Sequence, residues 1–536
     1  MTRLDVLVIG AGFSGLYMLH RLRESGHRVL AVEAESDLGG TWQVNRYPGA
    51  RCDIESIEYS YSFSEQIQQD WVWTETMAAQ PEILAYLNFV ADRLDLRRDI
   101  VCNTRVVEMR FDPGAAAWQV GTDTGQRFTA SFVVAASGIL SVPLQPDIAG
   151  ADSFAGVSLQ TSRWPAEGVD LTGKRVGVIG TGSTGVQLIP VVARQAAQLT
   201  VFQRSAAFTL PWEVRPIDAA ELAELKADYP GIRAAQRAHP VGAARLSAFS
   251  LLLDMLAKPP IATASREDRL RAIDERGILG ALDWGDVFFD IEANRQATEL
   301  YGEAIARIVA DPDTAAALVP SHPFGCKRPI IDQGYYQSFN RANVTLVDLR
   351  RGPITTAIPT GIRTEQGDFE LDVIIYATGF DAMTGALSRI EVVGTDGRTL
   401  GQVWREDGPG GYLGLMVAGF PNLFIIQAPG SPSAATNFIA AMEQHVEWIG
   451  DCLDHLRAAG YRRIEARAEA QRDWIEHTAA LVEPTVLAHP DCNSWYNGAN
   501  VPGKKRRYLA YAGGIPEYRR RCDEVAAAGY TAFDLE

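Results

Sequence analysis

Residues 4–33 read LDVLVIGAGFSGLYMLHRLRESGHRVLAVE, and this stretch decides the fold of the chain. An apolar run ends at Gly10, two more glycines complete the spacing GxGxxG, and an amphipathic segment leads to a second apolar run that ends at Glu33. In a strand–turn–helix–strand unit, Gly10 allows the tight turn, Gly12 lets a phosphate approach the backbone, and Gly15 lets helix and strand pack closely. The pattern predicts an α/β unit of the Rossmann type that binds a dinucleotide.

The same plan recurs at residues 174–204, which read KRVGVIGTGSTGVQLIPVVARQAAQLTVFQR. Here the apolar run ends at Gly180, and Gly182 and Gly185 complete a second GxGxxG loop before a helical segment. The helix N-terminus that follows such a loop attracts the pyrophosphate of a dinucleotide. The duplicated unit predicts a second dinucleotide site on the same chain.

The last residue of each unit distinguishes the two nucleotides. Glu33 ends the first unit, and a carboxylate there accepts hydrogen bonds from ribose hydroxyls, which suits FAD. Arg204 ends the second unit, and its guanidinium can bind a 2′-phosphate, which a carboxylate would repel. A surface arginine is the structural alternative at this position. We therefore expect FAD at the first loop and NADPH at the second, with electrons passing from nicotinamide to flavin.

Two further apolar runs, at residues 132–138 (FVVAASG) and 373–379 (VIIYATG), end in small residues and are typical of buried strands. A charged, alanine-rich and helical pattern fills much of the interval between them. We predict an α/β protein with two nested Rossmann-like domains, each a parallel sheet with helices on both faces, and a helical insertion. The predicted ranges are an FAD-binding domain at 1–140 and 379–536, a linker at 141–170, an NADPH-binding domain at 171–216 and 321–378, and the insertion at 217–320.

The composition excludes several classes of partner. The formal net charge is −16, which argues against nucleic acid because phosphate binding needs clustered Lys and Arg. The basic run at residues 504–507 (KKRR) is short, and we interpret it as a solvated loop or a contact with a cofactor phosphate. No segment approaches the roughly 18 apolar residues of a membrane helix. We expect a cytoplasmic monomer that binds no membrane and needs no obligate protein partner.

The six cysteines, at positions 52, 102, 326, 452, 492 and 522, show neither a CxxC pair nor the spacing of metal ligands. This pattern predicts a reducing compartment, no disulfide framework and no metal site. Flavoproteins that bind two nucleotides divide into disulfide reductases and monooxygenases. A disulfide reductase needs a redox-active cysteine pair, so the lack of a suitably spaced pair in the sequence favours a monooxygenase.

Eight segments, in the same order and spread over nearly the whole chain, resemble the Baeyer–Villiger monooxygenases, and most closely those acting on phenylacetone, steroids and cyclohexanone. These flavoenzymes insert an oxygen atom beside a ketone carbonyl. The breadth of the resemblance makes it specific, since no single segment would suffice. The segments are GGTW (39–42), NRYPGA (45–50), CDIES (52–56), SG (137–138), GCKRP (325–329), ATGFD (377–381), PGSPS (429–433) and GANVPGK (498–504).

The string that identifies this family is FxGxxxHxxxW followed by Pro or Asp, and residues 154–165 read FAGVSLQTSRWP. The histidine is replaced by Gln160, while the Trp position is kept as Trp164. Glutamine donates and accepts hydrogen bonds as neutral imidazole does, but it does not titrate near pH 7. If the family's histidine only ties the linker to a domain by hydrogen bonds, Gln160 can replace it. If the protonation of that histidine matters, the replacement uncouples oxygenation from NADPH use. A second departure is Gln43-Val44, where close relatives carry aromatic residues.

The resemblance implies that NADPH reduces FAD, that O2 adds to the flavin, and that the resulting peroxide anion attacks a small-molecule ketone to give an ester or lactone. Arg328 occupies the family's position for the cation that stabilises this anion. Asp53 matches the carboxylate that orients the cation and contacts the cofactor. An ordinary ion pair is the structural alternative for these two residues.

Further residues match cofactor or substrate positions of the family. Each of these assignments has a structural alternative. Lys327 could contact solvent, Trp495 could pack in the core, and the residues at substrate positions could serve only for packing. His445 is expected to make a structural hydrogen bond rather than take part in the chemistry. The cofactor positions are Gly40, Thr41, Trp42, Ser183, Thr184, Gln187, Lys327, Arg328 and Trp495, and the substrate positions are Phe438, Ser433 and Ala434.

Two other functions stay open. The chain could be a flavin monooxygenase that oxidises sulfur or nitrogen, because such enzymes share the same chemistry of O2 activation. It could also be a nucleotide-responsive binding protein whose oxygenation has decayed, an alternative motivated by Gln160.

Overall fold

The computed structural model describes residues 2–245 and 247–536. The strands are, in chain order, β1 (Thr2–Ile9), β2 (Val29–Val32), β3 (Ile100–Val101), β4 (Val106–Asp112), β5 (Ala117–Thr122), β6 (Arg127–Ala135), β7 (Val157–Gln160), β8 (Arg175–Ile179), β9 (Gln198–Gln203), β10 (Thr209–Pro211), β11 (Ile330–Asp332), β12 (Val344–Asp348), β13 (Ile354–Ile358), β14 (Gly361–Thr364), β15 (Gly367–Glu370), β16 (Val373–Tyr376), β17 (Glu391–Val393), β18 (Leu423–Ile425), β19 (Ile464–Ala466) and β20 (Phe533–Leu535).

The helices are, in chain order, α1 (Phe13–Glu24), α2 (Thr41–Val44), α3 (Glu65–Asp70), α4 (Gln80–Arg93), α5 (Ser183–Gln195), α6 (Ala219–Ala227), α7 (Tyr229–Ala238), α8 (Ala248–Leu256), α9 (Arg266–Arg276), α10 (Ile278–Leu282), α11 (Ile291–Ala306), α12 (Pro312–Ala317), α13 (Tyr335–Ser338), α14 (Gly385–Ser388), α15 (Leu400–Glu406), α16 (Phe438–Ala459), α17 (Ala468–Val482) and α18 (Ile515–Ala527). None of these described helices is both long enough and apolar enough to cross a membrane.

The first glycine unit lies in a sheet with the strand order β17-β4-β5-β6-β1-β2-β3, and β18 pairs with β6. Strand β1 is parallel to both of its neighbours, with Val6 opposite Val29 on β2 and Phe132 on β6. The switch in strand order on either side of β1 creates the crevice in which α/β proteins bind dinucleotides. The glycine loop Gly10–Gly15 follows β1 at this point.

This first sheet is mixed: the prediction of a parallel sheet holds for the pairings of β1 with β2 and β6 but fails at β5. Strand β5 runs antiparallel to both of its neighbours, β4 and β6. The connections at residues 113–116 and 123–126 are too short for a parallel crossover, which needs about a dozen residues. Pro-Gly at 113–114 and Thr-Gly at 124–125 are the turn signals that indicate hairpins at these positions.

The second glycine unit lies in a sheet with the order β12-β9-β8-β16-β7, in which each pair is parallel. Val176 on β8 lies opposite Leu199 on β9 and Val373 on β16, so β8 is the central strand. The segment 141–170, expected as a linker, contains β7, which forms the edge of this sheet.

The helical stretch between the two parts of the second sheet is anchored to the first sheet's side of the molecule by Arg233 on α7. Its guanidinium is buried and donates to the Gln68 side chain at 2.9 Å, to Ser60 Oγ at 2.9 Å and to the Tyr61 carbonyl at 3.2 Å. Burial lowers the pKa of this guanidinium. Because a buried charge is tolerated only when it is hydrogen-bonded, these acceptors fix the position of α7.

Cys326 and Cys492 form a disulfide across a sequence separation of 166 residues, so the prediction of no disulfide is wrong. Spacing rules examine neighbours along the chain, whereas the fold places the Cα atoms of these two residues 5.3 Å apart. The cysteines therefore give no indication of a reducing compartment. The remaining cysteines, at positions 52, 102, 452 and 522, are free.

The basic run at 504–507 is bound to the body of the protein rather than solvated throughout. Lys504 Nζ lies 2.8 Å from Asp381 Oδ1, and the lysine side chain is 10% exposed. Arg506 and Arg507 donate to main-chain carbonyls of Cys492 and Pro409. Lys504 therefore makes an internal ion pair with Asp381, which lies shortly after the buried strand β16.

We predict that Gly185→Ala lowers the thermal unfolding temperature, whereas Gly182→Ala does not. A Cβ on Gly185 would lie 2.3 Å from the Gly180 carbonyl oxygen, while a Cβ on Gly182 meets no atom within 4 Å. Overpacking of this kind costs about 1–3 kcal/mol. Thermal unfolding of both purified variants tests this, and equal melting temperatures would contradict the assigned packing role of Gly185.

Candidate functional site

One cavity of about 1850 Å³ takes in both glycine loops. Its wall includes Gly10 and Gly12 after β1, and Gly180 and Gly182 after β8. A pocket for one small ligand occupies roughly 300–1,000 Å³, so this cavity has room for more than one. The two predicted nucleotide sites are thus parts of a single continuous space.

The first loop is shaped for a nucleotide that approaches the backbone closely. A Cβ on Gly15 would lie 1.8 Å from the Gly10 carbonyl oxygen, and a Cβ on Gly12 would lie 3.3 Å from the Gly40 Cα. Gly40 has the left-handed φ of +54° that favours glycine, and α2 begins directly after it. Thr41 and Trp42 on α2 line the same wall of the cavity.

Glu33 is held beside this loop at the end of β2. Its Oε2 accepts the Ala11 N–H at 2.7 Å and its Oε1 accepts the Glu35 N–H at 2.9 Å. Burial raises the pKa of this carboxyl group, and the side chain lines the cavity. Each carboxylate oxygen has a second lone pair, so the residue can still accept ribose hydroxyls. The residues present fit FAD at this loop.

The second loop presents the N-terminus of α5 to the cavity. Gly182 and Ser183 are exposed at the first turn of this helix, and Thr184 lies beside them in the cavity wall. The open space around Gly182 leaves room for a ligand at the amide groups, and the helix dipole there favours a phosphate.

Two basic residues, Arg204 and Lys327, lie near each other at this end of the cavity. Burial, and then the nearby Arg204 guanidinium, lower the pKa of the Lys327 ammonium. The neighbouring His322 is buried against Phe208, and burial together with Lys327 lowers its pKa to about 3. Two cations held this close repel each other unless an anion lies between them. The residues present fit the 2′-phosphate of NADPH.

Arg328 and Asp53 meet in the cavity between the two loops. Arg328 Nη2 lies 2.9 Å from Asp53 Oδ2, with 32% and 15% of the respective side chains exposed. Burial opposes the charge on Arg328, but the Asp53 carboxylate together with the nearby Tyr496, Cys52 and Tyr59 side chains outweighs it, and the pKa of the guanidinium is raised above its ordinary value. Arg328 is therefore a permanent cation held at the edge of both nucleotide loops.

Tyr47 connects the segment that carries Asp53 to the second nucleotide unit, a link that the sequence analysis did not predict. Its hydroxyl donates to Gln187 Oε1 at 2.7 Å, and Gln187 Nε2 donates to the Arg51 carbonyl at 3.0 Å. Gln187 lies on α5, so its amide is engaged by the segment before Asp53. The NRYPGA motif was the only sequence signal at this position, and it gave no indication of the partner.

The predicted substrate residues converge on one apolar cluster beside the cavity. Ala434, Phe438 and Trp495 pack around a buried core formed by Ile139, Ala382, Met383 and Leu509. Ser433 lies in the cavity wall, and its hydroxyl donates to the Ser431 carbonyl at 3.2 Å. This arrangement provides an apolar surface next to the Arg328 region.

Three other residues singled out by the sequence make structural hydrogen bonds. Gln160 Nε2 donates to the Leu144 carbonyl at 3.4 Å and its Oε1 accepts from Gln145 at 2.7 Å, which ties the segment before β7 to the second sheet. Gln43 Oε1 accepts from Arg46 at 2.7 Å. His445 is buried, and its Nδ1 accepts the Gln427 N–H at 3.2 Å. Neither Gln160 nor His445 lines the cavity.

Comparisons with known proteins agree with this geometry. Residues 4–246 match the model of the family described as pyridine nucleotide-disulphide oxidoreductase, a range that includes both glycine units. The chain is 41% identical over 99% of its length to a Baeyer-Villiger monooxygenase from Pseudooceanicola batsensis, 96% of which is covered. It is 38% identical over its full length to phenazine N-monooxygenase PhzNO1 from Lysobacter antibioticus, 97% of which is covered.

A solved structure of OTEMO in complex with FAD and NADP is 38% identical to this chain. The TM-score is 0.91, and the superposition covers 99% of each chain. The relatives named as monooxygenases extend over the whole molecule, whereas the disulphide oxidoreductase model extends over less than half of it. This chain belongs to the Baeyer–Villiger monooxygenases and is an enzyme that uses FAD and NADPH.

Proposed function

We propose that Arg328 is the cation at the reacting centre of this enzyme, where one atom of O2 is inserted beside the carbonyl of a small-molecule ketone to give an ester or lactone. The observation that carries this proposal is the Arg328–Asp53 ion pair in the cavity between the two glycine loops. When bound, FAD supplies the activation of O2 and NADPH supplies the hydride.

Arginine suits this position because it stabilises negative charge without giving up a proton. At about 4 Å and an effective dielectric constant near 20, a unit charge contributes roughly 4 kcal/mol to an anion. Asp53 orients the guanidinium by accepting from Nη2 at 2.9 Å. A cation that is already oriented before the reaction stabilises the developing charge without any rearrangement.

The apolar cluster around Trp495 supports a ketone as substrate. Phe438, Ala434 and Trp495 present apolar surface next to the cavity, and Met383 and Leu509 lie behind them. Such a surface binds an uncharged small molecule and keeps water away from the reacting atoms. The size of the ketone that can bind depends on how far the side chains of this cluster can move apart.

The similarity to phenazine N-monooxygenase PhzNO1 supports a second candidate, oxidation of a ring nitrogen. Trp164 favours the ketone reaction, because related N-hydroxylating enzymes usually carry another residue at this place in the motif. A panel of ketones, sulfides and aromatic nitrogen heterocycles, assayed by mass spectrometry for oxygenated product, distinguishes the candidates.

Both nucleotide loops, the ion pair and the apolar cluster are formed by a single chain. This supports the proposal that the enzyme acts as a monomer without an obligate protein partner. The negative net charge of −16 supports the absence of a nucleic-acid partner.

We expect Arg328→Ala to bind both nucleotides and to let NADPH bleach the flavin, but to lose ester formation by roughly a hundredfold or more, because the anion loses its fixed cation. Anaerobic flavin reduction and ester yield are the two measurements. Arg363→Ala, which removes an exposed ion pair with Asp368, is the matched control and should keep both activities. Ester formation at a near wild-type rate in Arg328→Ala would show that Arg328 is not the cation at the reacting centre.

Arg204→Ala should raise the KM for NADPH roughly tenfold, equivalent to about 1.4 kcal/mol, because one charged hydrogen-bonding partner of the 2′-phosphate is removed. The KM for NADH, which lacks that phosphate, should change little. Arg194→Ala, at the exposed far end of α5, serves as the control. If the KM values for NADPH and NADH shift equally, Arg204 does not bind the 2′-phosphate.

The KM for NADPH should also rise with pH in the alkaline range. The pKa of Lys327 is lowered from its ordinary value of 10.5, so the side chain is charged below this lowered pKa and becomes neutral as pH rises through it. Affinity for the 2′-phosphate is then lost, while the KM for NADH stays flat. Steady-state kinetics of wild type and Lys327→Arg test this. Because arginine does not titrate in this range, the variant should show no rise; the same rise in both enzymes would contradict the prediction.

A further inference from the structure

We propose that the Cys326–Cys492 disulfide is a redox-controlled latch that holds the Trp495 loop, residues 489–508, against the segment that carries Arg328. The proposal rests on the function proposed above, because the latch acts on how tightly NADPH consumption is coupled to oxygen transfer.

The bond joins two site segments that are distant in the sequence. Cys326 immediately precedes Lys327 and Arg328, and Cys492 lies at the start of the loop that carries Trp495. The two cysteines are separated by 166 residues, yet their Cα atoms lie 5.3 Å apart. A covalent bond at this place keeps the start of the Trp495 loop next to the cation of the site.

The rest of the Trp495 loop is attached elsewhere. Asn500 Nδ2 donates to the Phe380 carbonyl at 2.8 Å, and Lys504 pairs with Asp381. These contacts fix the far end of the loop to the segment after β16. A single 3-10 turn, residues 495–497, is the only helix or strand within the loop as described.

At its start, the loop is braced by hydrogen bonds within itself, and one turn further on Tyr496 attaches it to the body by donating to the Ala434 carbonyl at 3.2 Å. The Cys492 carbonyl accepts hydrogen bonds from Asn497 and Arg506, which belong to the same loop. These bonds keep the shape of the loop but do not attach it to the Arg328 segment. Without the disulfide, the residues around Cys492 can therefore move away from Cys326 while Tyr496 and Lys504 still hold the rest of the loop.

Formation of the latch is a two-electron oxidation, and hydrogen peroxide is the oxidant that we assign to it. One thiol is oxidised by peroxide to a sulfenic acid with release of water. The second thiol then attacks this sulfur and releases another water, so that two thiols and one H2O2 give one disulfide and two H2O. A dithiol or a phosphine reduces the bond again by supplying two electrons.

Hydrogen peroxide is also the product when NADPH and O2 are consumed without oxygen transfer to a substrate. A reduced enzyme with a loose loop would release peroxide and thereby oxidise its own latch. The sulfurs are shielded by the fold, since Cys326 is 0% and Cys492 is 1% exposed. Reagents therefore reach them when the loop lifts, which links the redox state to loop motion.

The thiol state is measured first, on the full-length enzyme with its flavin bound. Denaturing alkylation followed by mass spectrometry should find four free thiols after treatment with peroxide and six after a phosphine reductant, with residues 326 and 492 accounting for the difference. Six thiols after peroxide, or a bond that the reductant leaves intact in the native enzyme, would overturn the proposal.

The functional readouts are the peroxide released per NADPH and the KM for NADPH. Reduction of the latch should raise both by roughly threefold, because the loop spends more time open, and re-oxidation should restore them. Unchanged values in an enzyme shown to hold six thiols would overturn the proposal. Neither readout requires an ester, so failure to find an ester would count against the proposed ketone reaction and not against the latch.

Serine variants separate the latch from other effects of the reductant. Cys492→Ser and Cys326→Ser should each behave as reduced wild type and should no longer respond to the reductant. Cys102→Ser, whose cysteine is partly exposed and lies outside the cavity, is the control and should keep the full response. A reductant response that persists in both latch variants would show that other groups cause it.

Discussion

The ion pair between Arg328 and Asp53 is the interaction around which this molecule is arranged. Asp53 follows the first glycine unit, Arg328 lies just before β11, far beyond the second, and the two side chains meet at 2.9 Å. A guanidinium loses much of its hydration in such a cavity, so it stays charged there because a carboxylate accompanies it. The pair can form only where the loop ends of the two sheets face each other. The same requirement makes the two nucleotide sites open into one space.

Several contacts hold the segment that carries Asp53 and the segment that carries Arg328 in place relative to each other. Tyr47 and Gln187 tie the segment before Asp53 to α5, and the N-terminus of α5 is the edge expected to hold the second nucleotide. On the other side, the Trp495 loop is attached by Lys504 to Asp381 and by Cys492 to Cys326. The second nucleotide loop and the position of Arg328 are thus mechanically connected.

Local charge, rather than the charge of the whole molecule, is the basis on which we propose that the two cofactors are distinguished. The protein carries a formal net charge of −16, yet Arg204 and Lys327 lie together at one end of the cavity while Glu33 lies at the other nucleotide loop. Interactions over a few ångströms inside a cavity are weakly screened, whereas distant surface charges are screened within about 10 Å by salt. A single basic or acidic residue can therefore distinguish two nucleotides.

The sequence by itself determined the two glycine loops, the acid and the base that distinguish them, and the family to which the chain belongs. These features depend on residues close together in the chain, where backbone geometry and hydrogen bonding act over one turn or one strand. In the sequence, the antiparallel hairpins β4–β5–β6 are indicated only by the turn signals Pro-Gly and Thr-Gly, and the larger Rossmann pattern predicts parallel strands in the same region. Tertiary structure alone decided the partners of Tyr47, Lys504 and Cys326, because each partner is more than 100 residues away and leaves no periodic signal in the sequence.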